Sequence, residues 1–168
     1  MANEDQNSPT TLDGLEDSRR AVLQLLADMG RVLYLYTPVV RAALYNDPAV
    51  LAAVRDRVVN QPKLRLHLLL PPARDWRNAC PGLVRLSDRL SSALLLRTPN
   101  REEPLDRPEL GQAFIIADER MLVRFSDPKR LLGLYEPRPS DRMKELLELF
   151  RLLWERAHSD SDLRHLGI

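Results

Sequence analysis

Residues 111–126 read GQAFIIADERMLVRFS, two apolar β-rich runs joined by Asp118-Glu119-Arg120. Both runs are of strand length, and Asp suits a tight turn because its side chain can bond nearby backbone amides. The stretch therefore predicts a β-hairpin. Its second run carries Arg124 where continued burial is expected, and an unpaired charge inside a strand is costly. Arg124 must then face water, pair with a carboxylate such as Asp118 or Glu136, or bind an anion. Two registers of the 120–125 strand would point it to opposite faces of a sheet.

Upstream of the hairpin, strands and helices alternate. Residues 15–29 carry apolar positions at helical spacing, with Asp17 or Ser18 available as a cap and Gly30 to end the helix. RVLYLYTP (31–38) reads as a buried strand stopped by Pro38. Asn46 or Asp47 followed by Pro48 marks the start of a second helix, whose inner stripe is Leu51, Val54 and Val58. KLRLHLLLPP (63–72) alternates Leu64, Leu66 and Leu68 with Arg65 and His67, giving a strand with one polar face. A helix near 81–91 and a strand within SALLLRTP (92–99) follow, and the charged, proline-bearing NREEPLDRPEL reads as an exposed loop. Beyond the hairpin, LLGLYEP predicts a further short strand, and Ser140 to His158 a long helix with Phe150 and Trp154 on one side.

This order predicts an α/β fold, a mixed β-sheet sandwiched by helices, parallel early and antiparallel at the hairpin. The expected organisation is a flexible tail over 1–14, one domain over 15–158 and a second tail over 159–168. A chain of 168 residues with 44% hydrophobic and 29% charged residues fits one globular domain and excludes wholesale disorder. A net charge of +1 sets up no global field toward nucleic acid or membrane. The cations are 22 Arg against 3 Lys; arginine suits bidentate anion binding, although a uniform bias also follows from base composition. The lone Cys80 excludes an internal disulfide and suits a reducing cytoplasm. The polar, acidic N-terminus lacks the basic and apolar regions of a signal peptide, and no run is long enough to cross a bilayer.

The chemistry-bearing motifs are mostly absent. There is no glycine-rich phosphate loop, no GxSxG elbow and no cysteine pair at metal spacing, so no metal and no cofactor are expected. His67 lies on a strand; His158 and His165 lie near the C-terminal end. Cys80 would need a neighbouring cation or helix dipole to become a thiolate nucleophile.

The element order, with YLYTP, KLRLHLLLPP, LLLR and the hairpin FIIADERMLVRFS, resembles one half of the phospholipase D-like superfamily. That family carries its chemistry on this hairpin as His-x-Lys, four residues, Asp, then six residues to Gly-Ser-x-Asn. Registered on Asp118, the His slot falls at Gly111, the Lys slot at Ala113, and the later slots at Phe125, Ser126, Asp127 and Pro128; only Asp118 and Ser126 match. The resemblance implies a degenerate bacterial half-domain, since Gly111 offers no nucleophile and Ala113 no cation. It also implies pairing about a two-fold axis.

The expected function is a non-catalytic, cytoplasmic module for protein interaction or for binding an anion, nucleic acid or phosphorylated ligand, acting as a homodimer. Its candidate ligand residues are Arg124, Arg65, Arg97, Arg120, His67, Asp118 and Ser126, the arginines lining one basic edge of the sheet. Phe150 and Trp154 are the candidate interface, against a core role at the same spacing. The alternative is a hydrolase or transferase of a phosphorylated substrate, with chemistry displaced to His67, Asp118 or Cys80 beside an arginine.

Overall fold

The computed structural model describes residues 7–100 and 106–160. Seven strands, β1 (Thr10–Asp13), β2 (Val32–Tyr36), β3 (Arg65–Leu69), β4 (Leu94–Arg97), β5 (Ala113–Ala117), β6 (Met121–Asp127) and β7 (Leu132–Glu136), form one sheet in the order β1-β7-β6-β5-β2-β3-β4. β2, β3 and β4 are parallel, and the other pairings are antiparallel. The five helices are α1 (Leu15–Asp28), α2 (Ala42–Tyr45), α3 (Pro48–Asn60), α4 (Pro81–Arg89) and α5 (Asp141–Arg156).

The sheet separates two apolar layers. Leu33, Leu35, Leu66, Leu68, Ile115, Val123 and Phe125 pack against α1 to α4. Tyr36, Leu69, Phe114, Ile116 and Leu122 face α5 and its Met143, Leu146, Leu147, Phe150 and Leu153. All five residues of β5 are buried, as a central strand covered on both sides requires. The mixed sheet flanked by helices is the architecture that the alternation predicts.

Local chemistry fixes the helix starts. Asp47 caps α3 by accepting from the amides of Ala49 at 3.0 Å and Val50 at 3.1 Å, with Pro48 at the first helical position. Ser140 caps α5 through the Met143 amide at 3.1 Å. For α1 the expected cap is not the one used: Gly14 (φ 97°) holds the N-cap position, and Asp17 instead accepts from the Asp13 amide at 2.9 Å.

The tails are shorter than expected. Thr10–Asp13 is not loose but forms β1, paired with Leu132–Tyr135 of β7. Leu12 of this strand is buried in the core. At the other end Asp160 accepts from the Ala73 amide at 2.6 Å, which ties residues read as tail to the segment after β3. Residues 1–6, 161–168 with His165, and 101–105 of the predicted loop lie outside the described residues. Within that loop Pro108–Gly111 makes a short 3-10 turn.

Gly133 is required by a close approach between β6 and β7. A Cβ built there would lie 1.8 Å from the Arg124 carbonyl oxygen, beside the bulge between Phe125 and Asp127.

Candidate functional site

The acidic residues of the hairpin turn are consumed by the fold. Asp118 and Glu119 both have φ near 55° and are the central residues of the turn between β5 and β6, closed by the Arg120 amide on the Ala117 carbonyl at 3.0 Å. Positive φ at both positions is the type I′ pattern, usually given to Asn or Gly. Side-chain bonds compensate for it. Asp118 Oδ2 accepts from the Gly30 amide at 2.7 Å, and Oδ1 accepts from Arg31 at 2.8 Å and Val32 at 3.0 Å. Glu119 pairs with Arg151 of α5. Asp118 is thus a clamp on the start of β2. Ser126 donates to the Leu132 carbonyl at 3.3 Å, within the β6–β7 connection. Gly111 is exposed with open space around it, whereas Ala113 is fully buried.

Displaced catalysis finds no cluster. His67 pairs with Tyr34 on β2, and Asp118 lies beyond β5. That puts them two strand spacings apart, about 10 Å, well outside hydrogen-bond reach. Cys80 is buried, and burial raises its thiol pKa, the wrong direction for a nucleophile. Among the described residues no group of three His, Cys, Asp or Glu could hold a metal ion.

The four arginines expected along one basic edge separate into three places. Arg120 lies by α1, at a cleft of about 720 Å³ lined also by Asp17, Arg20, Asp28 and Tyr135. Arg124 faces the α5 side, opposite Phe114 on β5 and Leu134 on β7. It is half-buried, its Nε has no partner, and Glu136 and Asp118 are not its ion pairs. Gln112, just before β5, also leaves a buried Oε1 without a partner.

Arg65, His67 and Arg97 do come together. Register places Arg65 and His67 on β3 and Arg97 on β4, all alternating with leucines of the other layer and so on the α5 side. The Arg65 Nη1 donates to the carbonyls of Pro62 at 2.9 Å and Leu64 at 2.8 Å. The Arg97 Nη1 donates to the Trp154 carbonyl at 3.0 Å while its guanidinium lies 4.4 Å over the Trp154 ring. Between them His67 stacks on Tyr34 with centroids 5.2 Å apart and makes a T-shaped contact with Trp154 at a centroid separation of 5.0 Å. Neither arginine has a carboxylate within ion-pair distance among the described residues, so each guanidinium is held by carbonyls with donors left over. Arg97 and Arg124 stand on one cross-sheet row, separated by Leu69, Tyr36 and Phe114. That distance is about 19 Å across four strand spacings.

The two interface candidates also part. Phe150 is 1% exposed, between Tyr34 and Phe114, and is core. Trp154 is half-buried and belongs to the basic cluster. Tyr34 was missed by the sequence reading, although Tyr34 and Tyr36 in VLYLY must share a face of β2 by their spacing.

The profile of a domain of unknown function, DUF7931, matches residues 14–166. The chain belongs to this family. No curated protein matches the DUF7931 chain. Among solved structures it is similar to TrmBL2, an archaeal chromatin protein whose structure shows a novel mode of DNA binding, with TM-score 0.60, 16% identity, and coverage of 94% of this chain and 57% of that one. It is also similar to Nuc from Salmonella typhimurium, a phospholipase D family member, with TM-score 0.56, 13% identity, and coverage of 90% and 97%. Phosphatidylserine synthase from Haemophilus influenzae Rd KW20 gives 0.56, 14%, and coverage of 90% and 39%. The chain spans little more than half of TrmBL2 and less than half of the synthase. These likenesses show that the DUF7931 domain has the phospholipase D-like fold. No helix among the described residues is long and apolar enough to cross a membrane.

Proposed function

We propose that this DUF7931 domain is a non-catalytic phospholipase D-like module that binds nucleic acid or another phosphate-bearing anion on the β3–β4 flank of α5, as a cytoplasmic bacterial homodimer. The observation that carries this reading is the pair Arg65 and Arg97, on adjacent strands, each held by backbone carbonyls and without an ion-paired carboxylate among the described residues, with Tyr34, His67 and Trp154 nearby. Cations along a strand with interleaved aromatic rings are what a single-stranded nucleic acid needs: charge for the backbone and rings for the bases. TrmBL2, which shares the fold, binds DNA. The non-catalytic part rests on Gly111 and Ala113 standing in the family's His and Lys slots and on Asp118 being spent on three backbone amides. The homodimer rests on β4, an edge strand, and on the pairing of halves within the superfamily.

Fluorescence anisotropy against labelled oligothymidylate, duplex DNA and phosphorylated metabolites tests the reading, with light scattering for the oligomer. Saturable binding weakened by salt and by Arg97→Ala is expected. Indifference to every phosphate-bearing probe would leave a module directed at protein alone.

A further inference from the structure

The middle of the basic cluster is a titratable ring. His67 lies one alternation step from Arg65 along β3 and is cross-paired with Leu95, itself two residues before Arg97. From β2, Tyr34 stacks on the ring, and from α5 the uncharged Trp154 meets it in a T-shaped contact. The charged groups acting on it are Arg65 of its own strand and Arg97 of β4. Its Nδ1 is buried and has no hydrogen-bond partner.

We propose that His67 couples anion binding on this flank to uptake of one proton, so that the domain holds a polyanion more tightly in mildly acidic than in neutral solution. The inference rests on the binding reading above. In the free domain, burial keeps the imidazole pKa below its usual value, and Arg97 and Arg65 act in the same direction, against an opposing pull from the Leu33 backbone. The ring is therefore neutral near pH 7. Phosphates of a polyanion laid along the two arginines reverse the local field, and the imidazolium becomes the favoured form. The proton comes from solvent onto a ring nitrogen, and no other bond is made or broken. Arginine does not titrate in this window, and the His67 substitution separates its response from that of His158, whose backbone bridges Thr98 beside Arg97.

The probe is a short oligothymidylate, whose base has no group titrating near neutrality, at constant ionic strength between about pH 5 and pH 7.5. Affinity should rise about tenfold toward the acidic end for each unit by which the bound ring's pKa climbs. His67→Gln should flatten the profile, whereas Arg97→Ala should lower affinity across the whole pH range. NMR titration of the wild-type His67 ring, with and without oligothymidylate, reads the same coupling without a substitution; the ring should titrate at higher pH in the complex. Binding that is flat with pH, or a ring that titrates identically in both states, overturns the proton coupling and leaves the binding reading standing. No binding at any pH and low salt overturns both.

Discussion

The β5–β6 hairpin and the β3–β4 flank both carry charged residues in a sheet, yet they treat those charges oppositely. On the hairpin, the Asp118 carboxylate accepts three amides across a gap of more than 80 residues, and Glu119 is tied to α5. On the flank, Arg65 and Arg97 each spend one terminal nitrogen on carbonyls and meet no carboxylate among the described residues. The lesson is that a polar residue's place in a motif says less about its availability than the count of its lone pairs or protons already used. By that count the hairpin is scaffold and the flank is surface chemistry.

Rebuilding the emptied slots puts the most strain on this contrast. Ala113→Lys should cost about 4 kcal/mol or more, because it forces a cation into a fully buried position of the α1-facing layer. Gly111→His, in open space, should leave the denaturation midpoint almost unmoved. Equal penalties at the two positions would show that the layers are not as described. Next is Asp118→Ala, which strands three amides of the β2 entry and should lower unfolding free energy in urea by about 3 kcal/mol. Oligothymidylate affinity should be preserved wherever the protein stays folded, and a parallel loss would place the hairpin in the binding surface.

Arg97→Ala reverses the pattern. It should weaken oligothymidylate binding about tenfold, and the slope of log affinity against log salt should become shallower by about 0.7, one phosphate contact on a single strand. Stability should change by less than about 1 kcal/mol, since the guanidinium is half-exposed. The smallest effect concerns pH. A histidine whose folded pKa lies below the unfolded 6.5 binds its proton less readily when folded. Its contribution to stability is therefore complete above pH 6.5 and falls as pH drops toward the folded value. Urea unfolding at stepped pH should show this decline in wild type and less of it in His67→Gln.

Much of the fold was legible because its signals are local. The cap of α3 is written in Asp47-Pro48, that of α5 in Ser140, and the hairpin in two apolar runs around one Asp. β1 was not legible, because Thr10–Asp13 is short and polar and its partner β7 lies about 120 residues away. The importance of Asp118 was visible as turn chemistry, but its partners at Gly30, Arg31 and Val32 are tertiary. The face of Arg124 stayed open in sequence since a one-residue slip inverts it; the pairing with Phe114 settles it on the α5 side. Arg65 and His67 share a face by spacing alone, while Arg97 joins them only through the β3–β4 register.

The attachment of β1 has a kinetic consequence. Its four pairings to β7 join the two sequence extremes of the sheet, the contacts with the greatest loop-closure cost in the fold. The other six strands can assemble before it arrives, so β1 should zip on last and detach first. Its amides should exchange with solvent ahead of those of β5, through an opening far cheaper than global unfolding. Each such opening uncovers the outer edge of β7, and the N-terminal strand is then a removable cover over a seam where another chain's strand could add.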